Sequence, residues 1–155
     1  MEGSNIIMIT KDMINFLITA KRNTYAGGGA TCASSRPNSH DLSYAEGEYE
    51  YIDTYLGGEI FCGEEAVWQK GIPIWSMNYS GRLVGEGFSG DFLKEALYLA
   101  SEEYPFRGPL VYHNGDNSYH CIINGDVEWF QGQEEIFVGN RKVYECFFHG
   151  SCIKQ

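Results

Sequence analysis

The sequence predicts an α+β domain, a strongly twisted and mostly antiparallel sheet of about six to eight strands with two helices packed on one side. Three observations carry that expectation. Two stretches have apolar residues at helical spacing, and each follows a Thr or Ser suited to cap a helix. The segments between and after them are rich in Tyr, Ile, Val, Phe and Trp and alternate in polarity. Gly-containing pairs break those segments at hairpin spacing. With 155 residues, the whole chain, 1–155, suits one domain with one core.

Taken in order, residues 1–9 are expected to be a loose N-terminal segment. Thr10 then stands as an N-cap, Ile9 and Ile14 occupy staple positions, and Met13, Ile14, Leu17, Ile18 and Lys21 mark a helix over 11–22. Gly27-Gly28-Gly29 cannot continue it, and the Ser/Pro/Asn-rich run 30–41 reads as a loop. Strands are expected over 42–44 and 49–56 around a turn near Glu46-Gly47, then over 60–69 and 72–79 as a hairpin across Lys70-Gly71. Ser89 caps a second helix, whose stripe is Phe92, Leu93, Ala96, Leu97 and Ala100 and which ends before Tyr104-Pro105. In the last third, Asn124-Gly125 is expected to separate strands 118–123 and 126–130, and Gly139-Asn140 to separate 134–138 and 141–148. Each half thus holds one helix and three or four strands, although no residue-level repeat shows that the halves are related.

Charge excludes some functions. Eleven Lys and Arg against 21 Asp and Glu give a net charge of −10, a sign that repels nucleic-acid backbones and anionic membranes. Five cysteines at irregular spacing do not form a disulfide framework, which suits a reducing compartment. Lys11, Asp12 and Asn15 interrupt the only apolar N-terminal run, and no run reaches the roughly 20 apolar residues of a membrane span. The expected location is the cytoplasm. The partners that remain are a small-molecule ligand, a protein partner, or a second copy in a homodimer.

The stretch 49–82 holds the best functional clue, because Asp53, Glu64 and Glu65 fall inside strands where Thr or Val would pack better. Alternation groups Asp53 with Tyr49, Tyr51 and Tyr55, opposite Glu50, Ile52, Thr54 and Leu56. It also separates Glu64 from Glu65, so only one of them faces an interior unless Gly63 marks a bulge. The loop supplies Arg36, His40 and Asp41. The candidate ligand-binding set is therefore Arg36, His40, Asp53, Tyr55, Glu64, Asn78 and Tyr79. Against it stands a structural reading, in which His40 and Asp41 close the loop and Arg36 pairs with Asp53 or a glutamate. A carboxylate–His pair at His40 or His149 would instead suit a metal-independent hydrolase or isomerase, and a surface without a pocket would suit an interaction module.

No metal site and no cofactor are expected. Cys146, His149 and Cys152 are three apart, so on a strand they converge only if the chain turns at Gly150. No Gly-x-Ser-x-Gly elbow occurs, and Cys62 reads as a packing residue. Tyr51, Tyr55, Trp68, Trp75, Tyr79 and Trp129, interleaved with acids, offer π-faces to a cationic or aromatic ligand, or simply fill the core.

Several longer motifs add a resemblance. Ala20-Lys21-Arg22-Asn23-Thr24-Tyr25-Ala26, Ser34 to Leu42, Tyr51-Ile52-Asp53-Thr54-Tyr55-Leu56-Gly57-Gly58, Gly63-Glu64-Glu65-Ala66-Val67-Trp68, Met77-Asn78-Tyr79, Phe88 to Leu97 and Phe148-His149-Gly150 together resemble a prokaryotic family of unknown function. Its members occur alone or after a helix-turn-helix DNA-binding module. The resemblance implies an effector-sensing role by analogy and carries no established activity. The chain leaves no room for such a module before residue 10, so a regulatory role is expected to need a partner protein.

Overall fold

The computed structural model describes residues 9–155, so the loose segment expected over 1–9 lies, except for Ile9, outside the described residues. Helix α1 (Lys11–Asn23) begins at the cap the sequence supplies: the Thr10 hydroxyl accepts the Met13 N–H at 3.2 Å. That bond satisfies one of the N–H groups a helix start leaves without a partner. Ile9 and Ile14 both pack against the core, as a staple requires. Helix α2 (Gly90–Tyr98) repeats the device, with Ser89 accepting from Phe92 at 3.1 Å. It stops well before Pro105, because Leu99 and Ala100 bond back to the carbonyls of Ala96 and Leu97 in tightened terminal turns.

Eight strands follow in two groups: β1 (His40–Glu46), β2 (Tyr49–Gly57), β3 (Ile60–Gln69) and β4 (Ile72–Leu83) after α1, then β5 (Val111–Asn114), β6 (Asn117–Asp126), β7 (Trp129–Val138) and β8 (Arg141–Cys152) after α2. They form one antiparallel sheet in the order β1-β2-β3-β4-β8-β7-β6-β5. The last strand of each group meets at the centre. Both helices lie on one face, α1 against β1 and β2 and α2 against β6, and the core between them and the sheet includes Leu17, Val67, Trp75, Leu93, Ile136 and Val143. The expected fold class holds.

The strand order is the same from either edge, so the two halves are related by an approximate twofold axis through the β4–β8 pair. Register exposes the repeat that the sequence concealed. Tyr51 and Asp53 lie opposite Val67 and Glu65, and Tyr119 and Cys121 lie opposite Ile136 and Glu134. Gly63 faces Tyr79 and Gly132 faces Phe148. Gly63-Glu64-Glu65-Ala66-Val67-Trp68 therefore aligns with Gly132-Gln133-Glu134-Glu135-Ile136-Phe137. In both halves an aromatic ring crosses the strand over the glycine, in the space a Cβ would need.

One local expectation is corrected, one strand is added and one open point is settled. Asn124-Gly125 is not a turn: β6 runs through it, with Gly125 at φ +97° opposite Phe130. The reversal falls at Val127-Glu128, where Asp126 Oδ1 accepts the N–H groups of Glu128 at 2.9 Å and Trp129 at 3.3 Å. A carboxylate closing two N–H groups replaces the glycine turn. Secondly, β5 is an additional short strand, joined to β6 by Gly115-Asp116. Thirdly, the ladder is regular at Gly63, so alternation does part Glu64 from Glu65, and the irregularity comes later, between Val67 and Trp68.

Gly132→Ala should lower stability by roughly 1–3 kcal/mol, because the Phe148 ring and the Ile122 carbonyl occupy the space of the new Cβ. Urea unfolding checks this, and an unchanged midpoint would contradict the ring-over-glycine packing.

Candidate functional site

Strand alternation sets which side chains meet the helices. Tyr51, Asp53 and Tyr55 of β2 and Phe61, Glu65 and Val67 of β3 point to the helix-covered face, and Asp53 and Glu65 are only 5% and 3% exposed. Of the two adjacent glutamates, Glu65 is the inward one. A buried carboxylate needs partners, and the chain provides them. Glu65 Oε1 accepts Lys21 Nζ at 2.8 Å and the Tyr51 hydroxyl, while Lys21 also donates to the Phe106 carbonyl at 2.7 Å.

The second half repeats this chemistry. Glu134, fully buried, accepts Arg107 Nη2 at 2.5 Å and Nε at 3.1 Å, the Tyr119 hydroxyl at 2.5 Å and the Tyr144 hydroxyl at 2.7 Å. Arg107 Nη1 also stands 4.0 Å from Glu65 Oε2, which joins the two networks. Burial opposes charge on Arg107, but Glu134 outweighs it and raises the guanidinium's pKa well above its ordinary value. Burial, together with the neighbouring carboxylates, raises Tyr51, Tyr79, Tyr119 and Tyr144, so these hydroxyls remain donors.

Asp53 differs from both glutamates. Its Oδ1 accepts the Tyr79 hydroxyl at 2.5 Å, and Tyr79 is the only hydrogen-bond donor to this carboxyl among the described residues. Burial, and then the charge of Glu65, push the Asp53 carboxyl up to about 7, against the weaker pull of Tyr79, Arg107 and Lys21.

Asp53 lines a cavity of about 460 Å³ between the helix layer and the sheet. Its walls are largely aromatic, with Tyr25, Tyr55, Phe61, Tyr79, Phe88 and Tyr144, closed by Leu83 and Leu93 and edged by His40, Arg107 and the turn Gly57-Gly58-Glu59. His40 lies against Tyr55, ring centroids 4.9 Å apart.

The seven candidate residues divide between two faces. His40, Asp53, Tyr55 and Tyr79 meet at the cavity. Arg36, Glu64 and Asn78 line a separate groove on the helix-free face with Thr54 and Cys62. Register is the reason: Thr54 pairs with Glu64 and Glu64 with Asn78, one residue out of phase with Asp53 and Glu65. The expected meeting of Arg36 with Asp53 is thus corrected, since Arg36 donates instead to Thr54 Oγ1 at 3.0 Å. Asp41 does close the loop, accepting from Ser39 at 2.6 Å, Thr54 at 2.9 Å and the Ser35 N–H at 3.2 Å. Burial pulls its carboxyl up, but these bonds win and hold it at about 2.

Strand β8 continues through Gly150, placing Cys146 and His149 on opposite sides, and no cluster of three metal-binding side chains occurs among the described residues. Burial pushes the thiols of Cys121 and Cys146 up to about 12, which leaves them as packing groups. Cys62 is exposed on the helix-free face rather than packed. Neither His40 nor His149 bonds to a carboxylate among the described residues. No helix among those residues is long and apolar enough to cross a membrane.

Lys21, Tyr25, Arg107, Glu134 and Tyr144 were not in the candidate set. Two had a signal: Lys21 sits on the apolar stripe of α1, and Glu134 alternates with Ile136 and Val138. A charge in a buried position calls for a partner.

An antiparallel sheet, a helix layer on one face and an aromatic cavity holding a buried acid define an α+β domain with an internal pocket. The family described as a domain of unknown function, DUF5680, matches residues 53–153, and the chain belongs to that family. No curated protein and no solved structure matches it.

Removing Glu134 by mutation to Ala strands Arg107 and should cost about 3–5 kcal/mol of unfolding free energy. A loss below about 1 kcal/mol in chemical denaturation would show that the pair is not what holds the layers.

Asp53→Asn should act in the opposite direction. A carboxyl near 7 in the folded state and about 3.9 unfolded keeps a proton that the unfolded chain releases, so its contribution to stability falls as pH rises through that window. Asn, neutral throughout, removes the loss. Melting temperatures should favour the variant at pH 8 and converge with wild type near pH 4; parallel profiles would refute the buried titration.

Proposed function

We propose that this protein is a small-molecule-binding domain of the sensory type, with its ligand held in the cavity between the helix layer and the sheet. One observation carries the reading: a preformed cavity of about 460 Å³ with aromatic walls and a single under-bonded carboxyl, Asp53, at its inner side. That volume lies within the roughly 300–1,000 Å³ of small-molecule sites, and few polar groups among apolar walls is their usual composition.

The lining also supports a sensory role. Tyr25 follows α1 and Leu93 lies on α2, while Asp53, Phe61, Tyr79 and Tyr144 come from four strands. A ligand touching both layers favours whichever helix position gives it more contact, which is how occupancy becomes a conformational signal. The prokaryotic setting implied by the family resemblance, the cytoplasmic location and a partner protein for any regulatory role belong to this proposal. The alternative of a carboxylate–His hydrolase or isomerase has less support, because His40 packs at a tilt against Tyr55 and meets no carboxylate among the described residues.

A thermal-shift screen against a metabolite library tests the proposal. A ligand at 100 times its dissociation constant adds about 2.7 kcal/mol, which for a domain of this size raises the melting temperature by roughly 5–10 °C. The shift should vanish in Leu83→Trp, since Leu83 is partly buried beside Glu59 and a larger side chain there fills the cavity. Hits that survive this substitution would place binding elsewhere and overturn the proposal.

A further inference from the structure

Formal charge in the buried network does not balance. Lys21 is committed to Glu65 and Arg107 to Glu134, so each half already pairs its glutamate with a cation. Asp53 is a third carboxyl. When it ionises, two cations face three carboxylates, and the interior holds one negative charge too many.

The twofold relation supplies an internal control. At the position of Asp53 the second half carries Cys121, and at the position of Tyr79 it carries Phe148. The same framework is therefore completed by a thiol and a phenyl ring in one half and by a hydrogen-bonded carboxyl and phenol in the other. Folding of the framework does not demand an acid at this point, and the acid lies where both halves contribute walls to the cavity.

The remaining lining selects for the same charge. Tyr25, Tyr55, Phe61, Phe88 and Tyr144 contribute aromatic rings to the cavity, surfaces that attract cations, and the Tyr79 ring already carries the Arg107 guanidinium 5.3 Å from its centroid. Glu59 on its edge adds another negative group. The one guanidinium in the lining, that of Arg107, is bonded through Nε and Nη2 to Glu134, and its Nη1 stands 4.0 Å from Glu65 Oε2. An anion would meet a cation already shared between two carboxylates.

Resting on the ligand-binding reading of the cavity, we infer that its ligand is an organic monocation, an ammonium or amidinium carried on an apolar or aromatic body, with the positive charge set against Asp53. The groups that face Asp53 are Tyr51 and Tyr55 on its own strand, His40 of β1, Glu65 of β3, Tyr79 of β4, Lys21 of α1, Tyr25 beyond α1 and Arg107 beyond α2. Burial and the charge of Glu65 keep a proton on Asp53 below about pH 7. Binding exchanges that proton for the ligand's charge: the O–H bond of the carboxyl breaks, the proton goes to solvent, and the carboxylate pairs with the incoming cation.

The test uses three probes of one size: phenethylammonium, 2-phenylethanol and 3-phenylpropanoate, titrated into the full chain and followed by two-dimensional amide NMR. The ammonium should bind at least about tenfold more tightly than the alcohol, perturbing amides around Asp53, Tyr55 and Tyr79, and the anion should not bind. Its affinity should rise about tenfold from pH 6 to pH 8 as the carboxyl loses its proton. In Asp53→Asn, and in Asp53→Cys, which copies the other half, the ammonium should fall to the level of the alcohol while the alcohol is unchanged. Alcohol and ammonium binding equally at the cavity would overturn the charge assignment and leave the ligand-binding reading standing. If all three probes leave the cavity amides unperturbed, both fail together.

Discussion

The structure depends on the buried pairing of a glutamate in each half with a cation from the helical side of the molecule. Glu134 sits at zero exposure and receives four hydrogen bonds from Arg107, Tyr119 and Tyr144, while Glu65 receives Lys21 and Tyr51. Pairs of this kind add little net stability compared with apolar filling, but losing one partner is costly. Their effect here is positional. Lys21 and Arg107 belong to the layer that carries the helices, and the glutamates belong to the sheet, so the distance between layers is fixed by bonds that cannot shorten further or break without stranding a charge. An apolar interior could close under compression. This one is held open beside its polar centre, and the cavity lies there.

The twofold relation gives the pairing a second meaning. Two copies of one plan share a tyrosine on the second strand, a glycine and a glutamate on the third, and a ring crossing the glycine. Over that common ground the differences stand out: Asp53 against Cys121, and Tyr79 against Phe148. In the second half Glu134 is fully buried and receives four hydrogen bonds. The first half leaves a carboxyl with a single donor beside open volume. One half thus serves as the reference for how the other departs from the common plan.

Much of this fold was legible in the sequence because it is written in local rules. The caps Thr10 and Ser89, the alternation of 49–56 and the Lys70-Gly71 reversal each act within a few residues. The Asn124-Gly125 error has a physical cause: a glycine with positive φ also fits inside a ladder, and Asp126 offered a cheaper place to turn. The site was half legible. Alternation correctly placed Asp53 among tyrosines and parted Glu64 from Glu65, yet it could not say which glutamate faced the helices, and the inward one is Glu65. Arg107 was beyond reach, since it lies in an irregular segment and meets Glu134 across 27 positions of chain. Arg36 and His40, four residues apart in one loop, reach opposite faces of the sheet because the chain enters β1 between them.

What remains to be explained is why a fold able to place Cys121 and Phe148 at these positions holds Asp53 and Tyr79 at the other pair. In the unliganded protein Asp53 opposes folding at neutral pH, because burial and Glu65 both disfavour its charge. The Tyr79 hydrogen bond offsets only part of that, and no other side chain among the described residues donates to the carboxyl. A residue that weakens its own framework at a cavity wall is typical of a site whose missing partner comes from outside. Under the proposed cationic ligand, the energy withheld by the buried carboxyl would be returned when the opposite charge enters. On this view the cavity's aromatic walls supply contact area, while the unbalanced carboxyl supplies selection.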